Sequence, residues 1–129
     1  MTLNDLQDKK ILVVGAGVNN RNLAEYLQNQ GFFFESAEWQ NLAELTERLK
    51  QFDVVFRTPG LPYLSHPVQE AIQAGVIVSS QTKLFFDLCP CPIVGVTGTK
   101  GKGTVASLLA QILQAHGKNK VWLGGNSVS

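Results

Sequence analysis

Residues 96–105 read VTGTKGKGTV. On their N-terminal side the apolar run Ile93 to Thr97 (IVGVT) predicts a strand; on the other, Val105, Leu108, Leu109, Ile112 and Leu113 fall at helical spacing. A glycine-rich turn between strand and helix is the setting in which backbone N–H groups surround a phosphate and the helix dipole favours its charge. The common phosphate-loop consensus has its first glycine five residues before the second and a hydroxyl directly after the lysine. Here those two positions hold Val96 and Gly103. Gly98, Thr99, Lys100, Gly101, Lys102, Gly103 and Thr104 are the nucleotide-binding candidates. Lys102 would reach the terminal phosphates, and Thr104 would supply the Mg²⁺ hydroxyl that position 103 lacks.

Upstream of this loop the chain alternates. Lys10 to Val14 (KILVV), Phe32 to Phe34, Asp53 to Phe56 and Val76 to Val78 read as strands. Helical spacing follows each of them: Asn20 to Gln30 before Gly31, Leu42 to Phe52, a helix opened by Pro67 and ended by Gly75, and a short one through Leu84, Phe85 and Leu88. Four strand–helix units predict an α/β fold, a Rossmann-like parallel sheet with helices on both faces. CPCP, 89–92, marks a boundary, after which the pattern restarts with IVGVT and ends in a strand at Val121 to Leu123. Residues 1–90 form one domain in this reading and 91–129 the beginning of a P-loop ATPase-type domain, too short to hold a core alone.

Composition sets the class. Of 129 residues 44% are hydrophobic, which suits a packed core, and Lys+Arg 11 against Asp+Glu 10 leaves a net charge of +1. That balance argues against a nucleic-acid or anionic-membrane partner. No run approaches the roughly 18 apolar residues of a spanning helix, and MTLNDLQDKK lacks a signal peptide's apolar core, so a cytoplasmic protein is expected. Cys89 and Cys91 are too close for ordinary disulfide geometry and too few for zinc; they and the isolated His66 and His116 read as structural or surface residues.

Two further segments carry binding chemistry. Gly15-Ala16-Gly17-Val18-Asn19-Asn20 follows the first strand and matches two of the three glycines of a dinucleotide fingerprint, with Asn20 in place of the last. Glu35 lies twenty residues after Gly15, where an acid would hold a ribose. RTPGLPYLSHP, 57–67, follows the third strand, and its Thr58-Pro59-Gly60 turn can present backbone N–H groups to a diphosphate.

TGTKGKGT resembles the ATP-binding loop of the Mur ligase and folylpolyglutamate synthetase superfamily, G-[ST]-x-G-K-[STG]-[ST], in which the first glycine sits three places before the second. With a Rossmann-like domain in front, the order of pieces is similar to the Mur ligase branch that adds D-glutamate to UDP-N-acetylmuramoyl-L-alanine. In that branch the first glycine loop and the end of strand two bind the UDP part of the substrate. The resemblance carries this to Gly17, Val18 and Asn19, then to Glu35 and Ser36, although ESAEW has no basic residue where the family often does. It carries a diphosphate role to Thr58, Pro59 and Gly60. KLFFDL, 83–88, is similar to the family's ELF segment with Lys83 in place of Glu, and Gly124-Gly125-Asn126 to its GGN, which makes Asn126 a substrate contact.

The resemblance implies ATP and Mg²⁺ as cofactors, with Lys102 and Thr104 as catalytic residues and Thr104 as the metal ligand. It implies phosphorylation of the L-alanine carboxylate and attack of the D-glutamate amine on the acyl phosphate, giving amide, ADP and phosphate. No Asp or Glu follows Lys102, so the chain is expected to be an N-terminal fragment, inactive as a ligase. The alternatives are a folylpolyglutamate-type or other Mur ligase, a degenerate relative kept for interaction, and a non-enzymatic NAD- or nucleotide-binding module built on Gly15, Gly17 and Glu35.

Overall fold

ILVV forms the central strand β1 (Ile11–Val14), and all four of its residues are buried, as a strand covered on both faces requires. The structure, a computed structural model, describes residues 1–15, 18–117 and 120–125, with the side chains of 18 and 19 outside that description. Two compact units divide the chain, Met1–Cys91 and Pro92–Ser129.

In the first unit β1 is followed by α1 (Val18–Asn29), β2 (Phe34–Ala37), α2 (Leu42–Leu49), β3 (Val54–Arg57), α3 (His66–Gln73), β4 (Ile77–Ser79) and α4 (Gln81–Leu88). The sheet order is β2-β1-β3-β4 and every pairing is parallel, with Ile11 opposite both Phe34 and Val54. Alternation along the strands splits the core into two layers. Leu12, Val14 and Val55 pack with Leu45 and Leu49 of α2 and Val68 and Ala71 of α3. Ile11, Val13, Val54 and Phe56 pack on the other face with Leu23 and Leu27 of α1, Leu84 of α4 and Leu6 of an N-terminal 3₁₀ turn. Each of these buried Val, Leu, Ile or Phe side chains is worth about 1.5–3 kcal/mol. The doubly wound α/β fold expected from the alternation is therefore present.

Two strands start later than their apolar runs suggest, for one reason. Gly31 takes φ +83° after α1, its N–H bonds Gln28 O, and the Phe32 N–H bonds back to Leu27 O at 3.0 Å. This helix-ending motif uses the backbone of Phe32 before the sheet can. Strand β2 thus opens at Phe34 and runs through Glu35 and Ser36, while Phe33 is left 94% exposed. The same pair of bonds, Gly75 N to Ile72 O and Val76 N to Ala71 O, moves β4 on to Ile77.

The second unit contains α5 (Lys102–Ala115). The strands expected at Ile93 to Thr97 and at Val121 to Leu123 are not formed: both stretches lack regular structure and join no sheet among the described residues. A β-branched run becomes a strand only when a neighbour accepts its ladder bonds, and Val94 and Leu123 are exposed here.

Candidate functional site

The chain leaves β1 towards β2 on one side and reaches β3 on the other, so the winding reverses between β1 and β3. Ligands of such sheets bind in the crevice outside the carboxyl ends of the strands at this reversal. Gly15 follows β1 there, with φ +89°, and its N–H extends the ladder to Ala37 O at 2.8 Å. Thr58 follows β3, and a Cβ placed on Gly15 would lie 2.8 Å from Thr58 Cγ2. Gly15 and Thr58, separate in sequence, are thereby pressed together.

Asn20 supports this junction from the first turns of α1. It is 3% exposed, and its amide Nδ2 donates to Val14 O at 2.6 Å and Gly15 O at 3.0 Å. Where a dinucleotide fingerprint has a third glycine, this chain has a side chain that satisfies the carbonyls ending β1. Its Oδ1 is buried without a partner among the described residues. The TPG turn is closed by Leu61 N–H donating to Thr58 O and by Arg57 Nη1 donating to Leu61 O at 2.9 Å, with Leu61 fully buried beneath.

The crevice has a volume of about 380 Å³ and is lined by Asn20, Arg57, Pro59, Ser80, Gln81 and Thr82. Ser80 caps α4, its Oγ accepting from Lys83 N–H at 3.2 Å. Sequence reading did not single out Arg57 or the 80–82 stretch, yet the same rule that selected residues after β1 and β3 applies to the residues after β4.

Glu35 and Ser36 do not stand after strand two as expected. They lie inside β2, because the helix-ending bonds of Gly31 and Phe32 displace the strand. Glu35 is 3.5 Å from Arg48 Nη2 of α2 and lines a different opening, of about 720 Å³, with Lys9, Phe33 and Phe52. That opening sits by the first residues of β1 and β2, at the end opposite the crevice. The acid at the carboxyl end of β2 is Glu38, directly after Ala37, and it is exposed. Gly17 and Asn126 lie outside the described residues, as do the side chains of Val18 and Asn19, whose backbone opens α1.

In the second unit Gly101, at φ +74°, is the N-cap of α5 and offers no side chain to the helix's first N–H groups. Gly98, Thr99 and Lys100 precede it, exposed, and Gly103 and Thr104 follow in the first turn, also exposed. Lys102 Nζ donates to Gly98 O at 2.6 Å, so the ammonium folds back across the loop. A Cβ at Gly101 or Gly103 would meet nothing within 4 Å, which leaves the turn open to a ligand. Uncapped N–H groups, a helix N-terminus and a cation over the turn fit a phosphate group. Thr104 adds one hydroxyl, which suits Mg²⁺ that keeps most of its waters and phosphate oxygens.

The chain is similar in sequence to known ligases. The UDP-N-acetylmuramoylalanine--D-glutamate ligase of Acetivibrio thermocellus is 34% identical over 96% of this chain, which covers 32% of that relative. The chain belongs to the Mur ligase family. The enzymes of the same name from Clostridium acetobutylicum and Symbiobacterium thermophilum are 32% and 30% identical over 94% and 92% of the chain. The chain spans about a third of the length of these Mur ligase relatives. No protein-family model matches it. Among the described residues no helix is long and apolar enough to cross a membrane.

Proposed function

We propose that the first unit binds the uridine diphosphate end of UDP-N-acetylmuramoyl-L-alanine, and that residues 98–104 bind ATP with Mg²⁺, in a ligase that joins D-glutamate to the L-alanine carboxylate. One observation carries this reading: the Gly15 turn and the Thr58-Pro59-Gly60 turn, the two segments with diphosphate-binding chemistry, meet at the winding reversal of the sheet. Bound ATP would supply the phosphoryl group that turns the carboxylate into an acyl phosphate. The backbone of Gly17, Val18 and Asn19 and the TPG turn would hold the diphosphate. Glu38, at the carboxyl end of β2, is better placed than Glu35 or Ser36 to accept from the nucleoside. Asn126 would contact the substrate, Lys102 would offset charge at the terminal phosphates, and Thr104 would hold the metal.

Residues 103–129 contain no Asp or Glu, so the stretch after the loop supplies no acidic metal ligand, and this chain by itself is expected to bind without turning over. Calorimetric titration of the chain with UDP-N-acetylmuramoyl-L-alanine, ATP and NADH in turn tests the proposal. Saturable binding of the UDP-sugar, lost when Asn19 and Thr58 are made bulky, is the expected result. NADH binding without UDP-sugar binding would replace the ligase reading with a dinucleotide module.

A further inference from the structure

We infer that Arg57 is the anion-recognising cation of the β1–β3 crevice and reads the diphosphate of a nucleotide-linked ligand, an inference that rests on the substrate reading above. Arg57 is the last residue of β3, directly before Thr58, and is the one cation among the crevice-lining residues Asn20, Arg57, Pro59, Ser80, Gln81 and Thr82. The segment directly after β2, Glu38 to Asn41, carries no Lys or Arg. The charge comes from β3 instead.

The side chain is already positioned. Nη1 donates to Leu61 O at 2.9 Å, and Cζ lies 5.7 Å from the centre of the Tyr63 ring. A guanidinium carries five N–H donors in a fixed fork. Apart from the bond to Leu61 O, Arg57 donates to no other group among the described residues, and it forms no ion pair among them. A restrained cation with spare parallel donors matches phosphate oxygens bidentately, and its ordering costs little at the moment of binding. Around it, the hydroxyl of Thr82, the amide of Gln81 and the N-terminus of α4 add donors.

The test is titration of the whole chain with inorganic pyrophosphate, uridine and UDP-N-acetylmuramoyl-L-alanine, read at the backbone amides of residues 57–58, 60 and 80–82. Wild type, Arg57→Lys and Arg57→Gln are compared. Arg57→Gln keeps a donor for Leu61 O and removes the charge. It should weaken pyrophosphate and UDP-sugar binding roughly tenfold to a hundredfold, as loss of a charge-assisted bond does, and leave uridine unchanged. Arg57→Lys should retain part of the affinity. Unchanged pyrophosphate binding in Arg57→Gln, or an equal loss for uridine, overturns the inference. If Arg57→Gln unfolds, the wild type decides: pyrophosphate binding at these amides that is indifferent to salt overturns the cation role. Should pyrophosphate bind through Arg57 while the UDP-sugar does not, the anion site stands and the substrate reading falls. Absence of binding by either removes both.

Discussion

Thr58 stands against Gly15 so closely that its Cγ2 lies 2.8 Å, and its Cβ 3.0 Å, from where a Cβ on Gly15 would sit. The backbone at Gly15 is also in the left-handed region, at φ +89°. Gly15→Ala is therefore expected to destabilise the first unit by about 2–4 kcal/mol, combining conformational strain with overpacking. Thr58→Ser, which deletes the nearer methyl, should restore part of the loss in the double variant. Urea denaturation of the four proteins checks this, and strictly additive effects would show that the two residues do not meet.

Asn20 gives a second prediction. Its Nδ2 satisfies the carbonyls of Val14 and Gly15 in a buried site. Asn20→Leu leaves the Val14 carbonyl without its partner and should cost about 1–3 kcal/mol. Asn20→Asp should cost more at neutral pH, since a carboxylate would face two carbonyl oxygens, and should recover on acidification. Chemical denaturation at two pH values distinguishes these outcomes.

The acid limb of stability is expected to involve Asp87. Two short bonds from Lys83 Nζ, at 2.6 and 2.7 Å, lower its carboxyl below the usual range; desolvation opposes them and the Met1 ammonium, 3.3 Å away, adds to them. A carboxyl lowered in the folded state binds its proton more weakly there than in the unfolded chain. Its stabilisation is thus complete above the ordinary carboxylate range and is lost as pH falls through the lowered value. Wild type should exceed Asp87→Asn in melting temperature near neutrality, and the two curves should converge in acid. A gap that persists at the lowest pH would assign the effect to packing.

Lys102→Ala is predicted to reduce ATP binding at least tenfold while shifting stability by less than about 1 kcal/mol, since the bond it loses to Gly98 O is exposed. Titration and thermal melting of the same sample separate the two. A large fall in melting temperature would make the lysine a structural brace instead.

What sequence revealed followed its physics. KILVV and the Val54–Phe56 run were legible as strands because both faces are buried, and the helices because their apolar stripes face those strands. The phenylalanine run was misleading: Phe32 looked like strand, but a helix-ending bond had first use of its N–H. That offset carried the acid reading to Glu35, when the pairing of Gly15 N with Ala37 O puts Glu38 at the strand end. Arg57 and residues 80–82 were hidden for another reason. They share the crevice only through the order β2-β1-β3-β4, which no local pattern displays.

The Lys102 bond to Gly98 O bears on the thermodynamics of the loop. An arriving phosphate would not have to immobilise a free side chain; it would exchange a neutral acceptor for an anionic one at an ammonium already in place. Part of the rotamer entropy of that lysine is given up before any ligand appears. Nucleotide capture should then register mainly as heat, and deleting the lysine should diminish the binding enthalpy more than the free energy.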